Sequence, residues 1–169
     1  MSARVFVKLH GIDDVISHLK HKKDDFPNKV NEFLERLAII GATEARISFT
    51  RAFYAGHNDV EISVDRVKDG YRINARGQAV LFIEFGTGVL NPEHPLSAEL
   101  GFSHGTYGKG KGSNPKGWVY TGEQGNAGRF VREGVYRTTG NPPARAMYDA
   151  GKDVRREIYE IAKEVFADD

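Results

Sequence analysis

The stretch VEISVDRVKDGYRINA, Val60 to Ala75, constrains the fold most. Val60, Ile62 and Val64 alternate with Glu61, Ser63 and Asp65, and Tyr71, Ile73 and Ala75 alternate on the return. Such period-two alternation belongs to strands with one buried face. Asp69-Gly70 supplies the positive φ angles of a two-residue hairpin turn. Pairing across that turn sets Val64 opposite Ala75 and Arg66 opposite Ile73, with the apolar residues on one face.

Helices flank this hairpin. Phe26, Val30, Phe33, Leu34, Leu37 and Ile40 recur at three- and four-residue spacing, which predicts an amphipathic helix to about Phe49. Asp24 and Asp25 ahead of Pro27 read as its start, since proline is welcome in a first turn. Gly41 within it permits close approach of another element. Before it, Asp13 is placed to cap a separate short helix carrying Val15, Ile16 and Leu19, which finishes in Lys20, Lys22 and Lys23. A short strand is expected over 4–9, ended by Gly11. At the other end, Asn141, Pro142 and Pro143 lead rigidly into a helix to about Phe166. Its apolar stripe is Met147, Ala150, Val154, Ile158, Ile161 and Val165.

The middle is less regular. AVLFIEF, Ala79 to Phe85, suits a buried strand or two turns of helix equally, and GTG at 86–88 stops it. From Gly86 to Gly140 repeated glycines predict a loop-like region, with WVY (118–120) and FVREGVY (130–136) as possible short strands. The expected fold is α+β in a single domain over 1–169. A small, mostly antiparallel sheet packs against the two long helices, and a variable glycine-rich loop spans about 91–136. A loop that long is either functional or ordered by a partner.

Composition excludes more than it selects. The chain has 169 residues, a formal net charge of +1 and no cysteine, so disulfide and thiolate chemistry are out and no global charge draws it to nucleic acid. No apolar run reaches transmembrane length, and the N-terminal residues lack a signal-peptide core, so no membrane partner is expected. GTYGKGKGSNPKG, Gly105 to Gly117, has the glycine and lysine spacing of a phosphate-binding loop. It fails as one. Gly112 stands where a hydroxyl must hold magnesium, no buried strand leads in, and Ser113, Asn114 and Pro115 start no helix. His18 and His21 lie among lysines with no further ligand, and His57, His94 and His104 sit beside no serine or cysteine motif. No catalytic residue, metal site or cofactor is expected, and the chain reads as a non-enzyme.

Two readings of the loop remain. Lys109, Lys111 and Lys116, with Tyr107 and Trp118, have the character of a nucleic-acid module that tracks phosphates and stacks bases. Phe82, Phe85, Trp118, Tyr120 and Tyr136 around the same region have the character of a protein interface.

The order of elements carries a resemblance. GIDDVISHLK (11–20), IEFGTG (83–88), a glycine-rich stretch with W-x-Y, and GNPPARAMYDAGKDVRREI (140–158) follow one another. This resembles the tail-component (tail-completion or neck) family of long-tailed bacteriophages and prophages, the group that includes minor tail protein Z of lambda-like phages. Glu84, Phe85, Gly86 and Thr87 are its most specific residues here, with Pro143, Ala144 and Arg145. Ala146 departs from the family, which often has proline there.

The resemblance implies a virion structural protein, assembled in the bacterial host cytoplasm into a homo-oligomeric ring of six subunits. Its partners are the head connector or adaptor proteins and the tail terminator or tail tube, with double-stranded DNA only as passing cargo. Lys109 and Lys111 then face the lumen, and Arg145 makes a bidentate pair between subunits.

Overall fold

A computed structural model describes residues 12–88, 94–99 and 114–167. The protein is α+β, with helix α1 (Ile12–Arg51), strands β1 (Glu61–Val67) and β2 (Gly70–Arg76), and helix α2 (Val80–Phe85). Strands β3 (Trp118–Thr121), β4 (Arg129–Arg132) and β5 (Val135–Thr138) follow, and helix α3 (Ala146–Phe166) ends the chain. The strand expected over 4–9 lies outside the described residues.

The two helices expected before residue 50 are one. α1 runs through Pro27 without a break, so Asp24 and Asp25 are not a helix start. Proline inside a helix loses a backbone hydrogen bond and crowds the preceding turn. Packing on α3 offsets this cost. Phe26 and Phe33, on either side of Pro27, both meet Phe166, with ring centroids 5.7 and 5.8 Å apart. Leu37, Ile161 and Val165 continue the seam as a buried cluster, with Ile40 and Val154 against it. At Gly41 a Cβ would lie 2.6 Å from Ile73 Cδ1 and 2.7 Å from Val154 Cγ2, so this glycine lets α1 touch both β2 and α3.

The hairpin forms, but its register differs from the sequence expectation. Val64 pairs with Ile73, Arg66 with Tyr71 and Val67 with Gly70, so Lys68 and Asp69 are the turn residues. A turn on Asp69-Gly70 needs positive φ at both. Among the described residues only Arg145 has positive φ without being glycine, so Asp69 does not adopt it. The two-residue shift preserves which face each side chain occupies. It also sets Ile62 opposite Ala75, and both pack on the main core of Phe49, Ala52, Ala79, Ile83 and Ala146.

The segment 79–85, left open between strand and helix, is helical over Val80–Phe85. Asp59 explains its start: its carboxylate accepts the N–H of Gln78 at 2.7 Å and of Ala79 at 2.9 Å. The region expected as loop over 91–136 is structured where it is described from 118 onward. β3, β5 and β4 make an antiparallel sheet in that order, so WVY and FVREGVY are strands. It is ordered within its own chain. Asn126 accepts the Tyr54 N–H and donates to the Ala52 carbonyl, while the N–H groups of Gly125 and Ala127 reach the carbonyls of Ala55 and Tyr54.

Candidate functional site

The most specific residues of the resemblance, 84–87 and 143–145, meet at one junction, where α2 meets the start of α3. Glu84 is buried at the C-terminal end of α2. Its Oε2 accepts the Met147 N–H at 2.9 Å, and its Oε1 accepts the Tyr148 N–H at 3.1 Å. The first turn of a helix has N–H groups without intrahelical partners, and a carboxylate there also complements the helix dipole. Arg145, at the cap position of α3, makes no side-chain cap of its own, so Glu84 caps the helix from a distant element.

His94 completes this arrangement. Its Nδ1 accepts the Leu96 N–H at 3.0 Å, which leaves Nε2 to carry the proton and donate to Glu84 Oε1 at 3.2 Å. The His94 ring also lies 4.4 Å from the Phe85 ring, tilted against it, and 5.5 Å, edge-on, from Tyr148. Both oxygens of Glu84 are thus engaged by N–H donors. Such a carboxylate serves to hold a helix in place.

Thr87 and Asn141 close the other side. They exchange backbone hydrogen bonds at 2.9 and 3.0 Å, and the Thr87 hydroxyl donates to Asn141 Oδ1 at 2.5 Å. Asn141 Nδ2 reaches the Phe82 carbonyl at 3.0 Å. Gly86 between them has φ 76°, and a Cβ there would sit 2.7 Å from the Pro143 nitrogen. Only glycine fits. Glu84, Phe85, Gly86 and Thr87 are therefore interior residues that fasten α2 to α3, with little surface to offer a partner.

The other expected interaction residues are dispersed. Tyr107, Lys109 and Lys111 lie outside the described residues, as does most of the phosphate-loop-like stretch. Trp118 is half-buried on β3, opposite Thr138. The Tyr120 hydroxyl donates to the Ala55 carbonyl, and its ring lies 5.6 Å from that of Tyr136. Arg145 has φ 54° and ψ 32°, a left-handed conformation that costs a non-glycine residue about 1–2 kcal/mol. Its half-exposed guanidinium lies 3.6 Å from Asp149 one helical turn on, so within the chain it has a local acidic neighbour.

Beside the polar pocket of His57, Asp59, Tyr54 and Tyr120, two kinds of titratable group are perturbed. The backbone N–H groups of Gln78 and Ala79 hold the Asp59 carboxyl below the usual aspartate range. Burial first, then the charge of Asp59, raises the Tyr54 phenol above its ordinary value, and burial also raises Tyr120. Among the described residues no three His, Asp or Glu side chains gather as a metal ion requires.

The sequence reading missed Asp59, His94, Asn126 and Asn141 as organising residues. Asn58-Asp59, Gly125-Asn126 and Gly140-Asn141 are turn-forming pairs, and that chemistry was the available signal. For His94 there was none.

The surface tells a different story from the interior. Every residue from Ile12 to Asp24 is exposed. Ile12, Val15, Ile16 and Leu19 nevertheless form an apolar stripe at helical spacing, between 45% and 59% exposed. Phe26, where α3 first reaches α1, is 57% exposed. Among the described residues the first three turns of α1 thus form an exposed amphipathic arm. No helix among the described residues is long and apolar enough to cross a membrane.

No family model, curated protein or solved structure matches the chain.

Proposed function

We propose that this chain is a structural virion protein of a long-tailed phage or prophage, assembling as a ring where the tail joins the head. Its work is assembly rather than turnover. It joins the tail terminator or tail tube to the head connector or adaptor and lets DNA pass. The ring forms from about six copies in the bacterial host cytoplasm before entering the virion.

The observation that supports this most is the arm of α1. A helix whose apolar stripe lies exposed among the described residues is stable chiefly when something covers that stripe. Scattered exposed apolar residues are ordinary, but four in register along one helix face mark an interaction surface. Among the described residues the β1–β2 hairpin has no further strand beside it, and its edges offer a second route for pairing between copies. The junction built by Glu84, Thr87 and Asn141 contributes rigidity, fixing α3 so that neighbouring copies meet a defined surface.

The test is a double variant, Val15→Asp with Leu19→Asp. Both residues are exposed, so the folded body retains its thermal transition while the oligomer is lost. Retention of the oligomer removes the arm from the interface and the main support for the reading.

A further inference from the structure

Strand β5 carries Arg137 directly opposite two residues, Val119 on β3 and Arg129 on β4. Directly opposed residues share a face. The row Val119–Arg137–Arg129 thus lies on one side of this sheet, and the aromatic row Tyr120–Tyr136–Phe130 lies on the other. Like charges directly opposite each other destabilise a sheet. An acid between them would relieve the repulsion, yet neither arginine makes an ion pair among the described residues. Lys116 joins them. All three line one groove of about 470 Å³ with Phe53, Ala127 and residues 138–140, and among the described residues no acidic one lines it. Phe53 is 54% exposed at its edge.

We infer that this groove is a binding site for the phosphodiester backbone of nucleic acid, held by Lys116, Arg129 and Arg137. Arginine forks suit phosphate oxygens, and two at opposed positions on adjacent strands can converge on one phosphate. Nucleic acid fits better than an acidic protein segment because it sets sugar and base surfaces beside each charge, and Phe53 stands beside these cations. Arg129 and Arg137 are separated by a single strand spacing of about 5 Å. The exposed ring of Phe53 beside the cations provides an apolar surface for a sugar or a base. Of the loop lysines only Lys116 takes part, the two arginines lie on strands β4 and β5, and the assignment holds whether or not the chain forms a ring.

Three phosphate contacts bind weakly in a single copy and weaken steeply with salt. Binding of a short labelled DNA duplex by fluorescence anisotropy, between 50 and 200 mM salt, reads the number of contacts directly. The wild-type protein is expected to lose roughly forty-fold in affinity over that range, the slope for about three phosphates. The Arg129→Gln/Arg137→Gln variant is expected to lose only roughly three- to four-fold, starting from a weaker value. Its thermal transition stays put or rises, because the variant removes a repulsion. Arg72→Gln/Arg155→Gln removes the same charge from β2 and α3 and should behave as wild type. Absence of binding at 50 mM salt overturns the inference, as does an equal loss in the control variant. Displacement of the DNA by polyglutamate at matched charge would assign the groove to an acidic protein instead.

Discussion

Glu84 accepts the Nε2–H of His94 at 3.2 Å in the interior, where the Glu84 side chain is 7% exposed and the His94 side chain is fully buried. The same carboxylate holds the second and third N–H groups of α3, those of Met147 and Tyr148. One side chain therefore ties together α2, the 94–99 turn and the C-terminal helix. Two of the four segments on which the expected resemblance was drawn, 83–88 and 140–158, meet at this point.

Removing that carboxylate should be costly. Breaking a buried charged network by deleting one partner typically costs about 3–5 kcal/mol, because the remaining polar groups lose their partner and stay out of water. Glu84→Ala is expected to destabilise the protein by that amount in urea denaturation. Glu84→Gln, which keeps one accepting oxygen, should cost less. A loss under about 1 kcal/mol for the alanine variant would mean the network carries little of the stability.

Arg145 gives a prediction of opposite sign. Its left-handed backbone is unfavourable for any side chain, and glycine adopts it without a steric penalty. Its ion pair with Asp149 is half-exposed and worth little. Arg145→Gly should leave stability unchanged or raise it by about 1 kcal/mol. If the same variant assembles poorly, the arginine is kept for contacts between copies. Destabilisation without loss of assembly would instead place its role inside the chain.

The Asp59 cap predicts a pH dependence. Its folded-state pKa is depressed by the N–H groups of Gln78 and Ala79. The unfolded chain, with an aspartate value of about 3.9, therefore binds more protons in the acid range. The contribution is full above that value and is lost as pH falls through the lower folded value. Asp59→Asn should be less stable than wild type at neutral pH, with the difference shrinking as pH falls from about 5 toward 2. Thermal melts across that range measure it, and a gap constant with pH would show that the carboxylate's charge does not matter.

Much of the framework was legible because its signals are local. Val60, Ile62 and Val64 against Tyr71, Ile73 and Ala75 identified the hairpin and its faces, although the turn sits one residue earlier than Asp69-Gly70 suggests. The stripes of α1 and α3 were equally plain. Pro27 misled, since a helix-breaking signal lost to the packing of Phe26 and Phe33 on Phe166, which no local rule contains. WVY and FVREGVY showed through the glycines after Gly86 as short strands, but not their pairing into one sheet or its attachment, which depends on contacts far along the chain such as Asn126 with Ala52 and Tyr54.

The site was less legible for a similar reason. Glu84 to Thr87 stood out as a motif, but their chemistry depends on Asn141, Met147, Tyr148 and His94, some of them more than fifty positions away. The opposition of Arg129 and Arg137 follows from the β4–β5 pairing and emerges only once that hairpin is drawn.

The central claim is that this chain works by assembling with itself, and its most direct test is solution mass across a concentration series by light scattering. The account predicts a discrete species of about six times the 18.8 kDa chain mass, seen as closed rings in negative stain, that dissociates in the Val15→Asp/Leu19→Asp variant. A mass that stays at a single chain up to the highest soluble concentration, with the arm variant indistinguishable from wild type, would contradict it.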